Sequence, residues 1–317
     1  MVKKIIEGYR LTHNEALDLI KSASKEELYK MADDLRLHFH KNRVSTCMIM
    51  NAKSGACSEN CKWCSQSSSH KTDSPVYKLV DYPQVLKDAL VAKNAGVDMF
   101  SLVTSGRKTS PKDLEQLVAI FSQLNTNVKG LGLCTSLGLL TKNELQKLYD
   151  AGVRRYHCNM ETAPSYFPRL CTTHTIADKI ETVKAAKEIG MHICSGGIIG
   201  MGETEEQRVE LAVLLQQLKV DSIPVNILQP IKGTPLENTH PLTDEEILTS
   251  FAIFRIINPT ADIRFAAGRA RIKPFQHKAL KCGVSASLVG DMLTTVGSKV
   301  TDDFEMFKQL GYEAGAN

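Results

Sequence analysis

Cys57, Cys61 and Cys64 stand in the run Ser54-Gly-Ala-Cys-Ser-Glu-Asn-Cys-Lys-Trp-Cys-Ser65, a C-x3-C-x2-C spacing that gathers three thiolates on one short loop. An iron-sulfur cube has four irons to ligate, so three cysteines leave one iron open to bind something that reacts. A structural zinc site is the competing reading. It needs a fourth ligand close by, such as Cys47 or His70, and it usually comes as paired C-x2-C knuckles, the second of which is missing here.

Further polar residues recur at intervals along the chain, and the elements that carry them make sense of the spacing. Short runs rich in Val, Ile and Leu, at 44–51, 98–104, 128–135, 155–161, 192–197, 222–228, 262–267 and 285–290, alternate with amphipathic stretches at 83–94, 111–124, 142–150, 178–189, 205–218, 244–257 and 274–281. Gly96, Gly152 and Gly190 follow three of those stretches, where a left-handed helix end favours glycine. Eight βα units predict a single domain with a TIM-type (β/α)8 barrel over 44–300, a helical extension over 1–43, and a C-terminal helix and tail over 301–317. An open, doubly wound sheet is the fallback. Active sites of such barrels lie at the carboxyl ends of the strands. The triplet follows the first strand. Cys134, then His157, Asn159 and Glu161, then Cys194 with Gly196 and Gly197, then Asn226 and Arg269, lie at or just after later strand ends. They are expected to converge on one mouth.

Composition narrows the function classes. The 317 residues are 43% hydrophobic and carry a net charge of +4. Lys and Arg alternate with Asp and Glu, with no basic stripe interleaved with aromatics, so nucleic acid is excluded as an expected partner. Neither an apolar signal region nor a membrane-length apolar run is present, which predicts a cytoplasmic protein. Nine cysteines in a reducing compartment are expected as metal ligands or buried apolar residues rather than disulfides.

The triplet resembles the signature of the radical S-adenosylmethionine (SAM) superfamily, and the longer runs around it resemble the biotin synthase family. Those runs are Lys53-Ser-Gly-Ala-Cys-Ser-Glu-Asn-Cys-Lys-Trp-Cys-Ser-Gln-Ser-Ser68, Tyr156-His-Cys-Asn-Met-Glu-Thr162, Cys194-Ser-Gly-Gly-Ile-Ile-Gly-Met-Gly-Glu203, Pro224-Val-Asn226, Lys232-Gly-Thr-Pro235 and Ala267-Gly-Arg269, and the likeness extends through Leu293-Thr-Thr295. The resemblance implies sulfur insertion into dethiobiotin, with 5'-deoxyadenosyl radicals removing two hydrogens. It implies a four-iron cluster with SAM at the triplet, a low-potential donor such as flavodoxin or ferredoxin, and a homodimer. It places Trp63 beside the adenine, Asn159 and Glu161 at the SAM ribose and substrate, and Lys179 at the SAM carboxylate. Gly196, Gly197 and Ile198 are placed along the cofactor, and Asn226, Asn159 and His157 at a cyclic urea. Glu161 stands where the family more often has Asp.

The resemblance also implies an auxiliary cluster as sulfur source, matched by Cys134, Cys194 and Arg269, with Ser101 at the position of a third cysteine. Serine is a poor substitute for a soft thiolate. Strand alternation turns Cys158 away from the interior, so Cys171 is the expected third ligand. That pattern resembles an anaerobe-type branch whose auxiliary cluster is thought to hold four irons and an extra sulfide, with a two-iron cluster as the alternative. Cys47 and Cys282 read as core residues. Competing functions are a radical SAM relative of the hydrogenase-maturase or methylornithine-synthase type and a non-catalytic iron-sulfur protein.

Overall fold

The computed structural model describes residues 1–290 and 299–315. The segment Leu293-Thr-Thr295 lies outside them.

Three helices come first: α1 (Val2–Ile6), α2 (His13–Ser22) and α3 (Lys25–His40). The barrel then alternates β1 (Arg43–Lys53), α4 (Tyr82–Asn94), β2 (Met99–Thr104), α5 (Pro111–Asn127), β3 (Gly132–Ser136), α6 (Lys142–Asp150), β4 (Arg155–His157), α7 (Ile176–Glu188), β5 (His192–Cys194) and β6 (Gly197–Ile199). It continues through α8 (Glu205–Gln217), β7 (Ser222–Ile227), α9 (Asp244–Ile257), β8 (Asp262–Phe265), α10 (Arg269–Ile272), α11 (Gln276–Leu280) and β9 (Ala286–Val289). Helix α12 (Val300–Gln309) and β10 (Glu313–Ala314) close the chain, β10 adding to the first residues of β1.

All pairings in the barrel are parallel, and β1 pairs with both β2 and β9, so the sheet closes. The expected (β/α)8 architecture is therefore present. The fifth strand is split into β5 and β6 at Ser195-Gly196, and both halves pair with β7. The stretch expected as strand over 155–161 ends at His157, and the backbone turns at Glu161, whose φ is 71°. Pro274 breaks the stretch over 274–281, leaving a 3-10 turn at Lys273–Phe275 between α10 and α11.

Local chemistry explains most helix starts. Thr12 with Glu15, Ser24 with Glu27, Thr175 with Asp178, Thr204 with Gln207, and Thr243 with Glu246 form reciprocal capping boxes. Gly96, Gly152 and Gly190 adopt φ of 76°, 104° and 86° beyond helix ends, as expected. Helix α9 is buried on every side from Ile247 to Ile257, because the N-terminal helices cover the face that would otherwise meet solvent. Tyr29 of α3 reaches Thr249 at 3.1 Å. Arg255 of α9, fully buried, donates to Gly283 O (2.8 Å), Ala261 O (2.7 Å) and Nε2 of His40 (2.9 Å), tying α3 to the barrel base.

Candidate active site in the barrel mouth

The triplet loop leaves the carboxyl end of β1 through two left-handed residues, Gly55 (φ 73°) and Ala56 (φ 51°). At that φ a β-carbon at Gly55 would be strained and would lie 3.1 Å from Pro75 O, so this sharp exit favours glycine. The loop then closes on itself. Cys57 N donates to Gln66 O (3.0 Å), Ser68 N to Cys57 O (2.8 Å) and Cys64 N to Cys61 O (3.0 Å), while the Gln66 side chain accepts from Gly55 N (3.0 Å). Such bonds hold three cysteines on one side of a short loop without help from the metal.

A second loop docks on it. Lys62 N donates to Leu170 O (3.0 Å), and Glu59 Oε2 accepts from Thr173 Oγ1 (2.8 Å) and His174 Nδ1 (2.6 Å). These contacts bring Cys171 Sγ to 3.6 Å from Cys61 Sγ and 3.3 Å from His174 Nδ1. The ligand atoms of Cys61, Cys171 and His174 all lie within 4.8 Å of one another. Cys171 thus sits against the triplet, and its expected grouping with Cys134 and Cys194 is corrected. The physical reason is the loop docking: the segment after β4 is pinned to the triplet rather than folded back into the barrel.

Neither fourth zinc ligand weighed above is at hand. His70 is bonded to Cys61 O at 3.0 Å, and Cys47 lies on β1 inside the barrel. Burial pushes the Cys64 thiol up to about 11, and Cys61 is raised further by burial and by the neighbouring Cys171. Metal binding must therefore displace protons from these thiols. A sulfur-only triplet facing a cavity with room for an organic ligand fits a four-iron cluster with an open iron.

That cavity, of about 400 Å³, runs from the triplet down the barrel axis. Trp63 stands at its rim, edge-on to Phe167 at 6.3 Å. Lys179, near the start of α7, is 8% exposed and lines it; no salt bridge reaches its ammonium among the described residues. Asn159 Oδ1 accepts from Gly196 N (2.9 Å), and its amide lies 3.4 Å from Glu161 Oε2. Asn226 Nδ2 donates to Gly197 O (3.0 Å) and its Oδ1 accepts from Ala267 N (3.0 Å). Both amides thus bind backbone first and keep part of their capacity for a ligand. Ile198 lines the cavity. Gly196 and Gly197 admit close backbone contacts. Their β-carbons would lie 2.0 Å from Pro224 O and 2.4 Å from Glu161 O, so they let neighbouring strands meet.

Deeper in the same cavity lie Cys134 and Cys194, as expected, together with Cys47, Arg155, His157 and Arg264. Burial opposes ionisation of Cys194, but the charge and hydrogen bond of His157 and the two arginines outweigh it and bring the thiol to about 7. Burial alone would lower His157; Cys194 raises it instead. Burial pushes Cys47 up to about 11 and raises Cys134. Arg264, 1% exposed, donates to Ser222 Oγ (3.2 Å), Ser287 O (3.0 Å) and Ser45 O (3.1 Å). Arg155 Nε is buried without a hydrogen-bond partner among the described residues.

Arg269 is elsewhere. It opens α10 and makes a two-pronged pair with Asp303 of α12, at 2.6 and 2.7 Å. The expectation that it faces the auxiliary site is corrected: β8 alternation points Arg264 inward, and Arg269 lies past the strand end. Sequence reasoning passed over Arg155 and Arg264, although period-two alternation within β4 and β8 would have found both. Cys282 packs in the hydrophobic core, and Cys158 packs there too but also borders the cavity.

The closed barrel and the triplet over its mouth define a radical SAM protein. The Radical SAM superfamily model matches residues 52–215, and the Biotin and Thiamin Synthesis associated domain model matches residues 224–313. The chain is similar to a methylornithine synthase structure (TM-score 0.84, 19% identity, covering 99% of this chain and 97% of that one). It is also similar to the hydrogenase maturase HydG of Carboxydothermus hydrogenoformans (TM-score 0.82, 16% identity, 99% and 78% covered). Those likenesses show the fold. Sequence relatives say more: biotin synthase of Parabacteroides distasonis is 49% identical over 99% of this chain and 96% of that protein. Biotin synthase of Acetivibrio thermocellus is 48% identical over 99% and 98%. The chain belongs to the biotin synthase family.

Proposed function

We propose that the chain converts dethiobiotin to biotin by inserting sulfur between two unactivated carbons, and that the residues of the mouth divide the work as follows. No side-chain acid or base breaks an unactivated C–H bond; a four-iron cluster with SAM, held at the triplet, would supply the radical chemistry that removes the two hydrogens. Cys57, Cys61 and Cys64 hold that cluster. Trp63 flanks the adenine, and the ammonium of Lys179, over the Phe167 ring and in no salt bridge among the described residues, takes the SAM carboxylate. Asn159 and Glu161 hold the ribose. Asn226 and His157, with the remaining capacity of Asn159, bind the urea ring of the substrate. Loops over the mouth exclude water while a radical exists.

The sulfur source is an auxiliary iron-sulfur centre at Cys134 and Cys194, lower in the same cavity. A four-iron centre with an extra sulfide is favoured over a two-iron one, because Ser101 offers iron a hard hydroxyl. Electrons come from a low-potential flavodoxin- or ferredoxin-type donor, and the working unit is a homodimer. Among the described residues no helix is long and apolar enough to cross a membrane.

The single observation behind this reading is that one cavity joins the triplet to Cys134 and Cys194. Anaerobic incubation of the reconstituted chain with SAM, a reductant and dethiobiotin tests it. Biotin with two 5'-deoxyadenosines per molecule, and isotopic sulfur passing from the reconstituted auxiliary centre into the product, is expected. SAM cleavage that ignores dethiobiotin would refute the reading.

A further inference from the structure

Ladder pairings around the closed barrel put four inward side chains at one height. From Cys47 the lateral partners run through Met99 to Gly132, two residues before Cys134. From Cys134 they run through Arg155 to His192, two residues before Cys194. From Cys194 they run through Ser222 to Asp262, two residues before Arg264. From Arg264 they run through Ala286 to Ser45, two residues before Cys47. Four steps of two residues close the circuit with a stagger of eight, which is the shear of a (β/α)8 barrel. Interior side chains of such barrels stack in layers of four contributed by alternate strands. Here one layer is Cys47, Cys134, Cys194 and Arg264, and all four line the cavity.

The same counting places Ser101 in the next layer toward the mouth, with His157, Pro224 and Leu288. Ser101 is therefore out of plane with the thiols as well as chemically hard. Arg155, the lateral partner of Cys134, lies on the strand between Cys134 and Cys194. An apolar layer is the rule at this depth, usually of Val, Ile or Leu. Three thiols beside two arginines are a costly way to fill it: Arg264 has Asp262 at 3.7 Å, whereas Arg155 makes no salt bridge among the described residues. Its Nε, unpartnered among those residues, marks the need for an anion in the metal-free chain.

We propose that Cys47 is the third thiolate of the auxiliary iron-sulfur centre, completing with Cys134 and Cys194 a ring whose fourth place is taken by Arg264. The proposal rests on the reading that an auxiliary centre occupies this depth. It takes the place of Cys171, which is committed to the other loop at 3.6 Å from Cys61. Three thiolates and sulfide bring negative charge, and Arg264 and Arg155 neutralise it from the wall. Loading the site exchanges thiol protons for iron, supplied as a ferric salt with sulfide and excess thiol reductant, so that the ferric iron of the core is present from the start.

The test uses the full-length chain with Cys57, Cys61 and Cys64 all replaced by Ala, reconstituted anaerobically with iron and sulfide, so that only the auxiliary centre is counted. Iron and sulfide analysis with Mössbauer spectra on this parent, and on Cys47→Ala, Cys47→Val and Ser101→Ala added to it, gives the readout. Bound iron is expected to fall at least tenfold in both Cys47 variants and to stay at the parent level in Ser101→Ala. Cys47→Val fills the space without a ligand atom, so an unchanged apo melting curve separates ligand loss from misfolding. Iron retained in the Cys47 variants and lost in Ser101→Ala would overturn the proposal while leaving the auxiliary centre standing. A parent that binds no iron would overturn the auxiliary reading itself, and this proposal with it.

Discussion

Asn226 offers a way to separate holding the barrel from holding the substrate. Its amide bridges Gly197 O on β6 and Ala267 N just past β8, both at 3.0 Å. Replacing it with Ala leaves one backbone acceptor and one backbone donor unpaired at the barrel's carboxyl end. Each such group costs about 1–3 kcal/mol when water cannot replace the partner. Asn226 is half-buried and borders an open cavity, so water recovers part of this, and a total of about 2–4 kcal/mol is expected for Asn226→Ala. Urea unfolding of the metal-free chain under anaerobic conditions, followed by far-UV circular dichroism, measures it. Asn226→Asp should recover little, since it keeps the acceptor for Ala267 N but sets a carboxylate against Gly197 O. A loss under about 0.5 kcal/mol in Asn226→Ala would refute the bridging role and return this side chain wholly to the ligand.

Gly196→Ala places a β-carbon 2.0 Å from Pro224 O, backbone that cannot yield without moving β7, so a loss of at least about 2 kcal/mol in the same assay is expected. Arg269→Met removes both bonds of the buried pair with Asp303 and should cost up to about 3–5 kcal/mol, much of it restored in Arg269→Met/Asp303→Leu; a double-mutant cycle with no coupling would contradict the pairing. Burial, aided by Arg255, lowers His40 from 6.5 to about 4. The folded state resists a proton that the unfolded chain accepts, so the contribution is full above pH 6.5 and is lost as pH falls toward 4, amounting to about 2 kcal/mol at pH 5. His40→Gln should flatten that limb of the stability–pH curve, and an unchanged slope would discount His40. Cys171→Ser in the chain lacking the triplet cysteines should leave auxiliary iron untouched, and iron counting would show otherwise if Cys171 were a ligand there.

Much of the architecture was legible because its signals are local. Period-two apolar runs and capping residues mark most βα units within a residue or two, and Lys142–Asp150 and Asp244–Ile257 fall where the pattern puts them. Failures came where local preference met a tertiary demand. His192–Gly197 reads as one strand, yet it splits where the Asn159 side chain takes Gly196 N. Pro274 sits in a helical pattern that its ring interrupts.

The candidate site divides along the same line. By itself, the chain's sequence determined the open three-cysteine triplet, the barrel that carries it and the family, since each is written in residues adjacent along the chain. Only the tertiary structure decided that Cys171 belongs with Cys61 and that Cys47 shares a level with Cys134 and Cys194. Those placements depend on loop docking and on strand register accumulated around a closed circuit. The partners are far apart in sequence, and a shift of one residue in any pairing would turn a ligand from the axis to the helices.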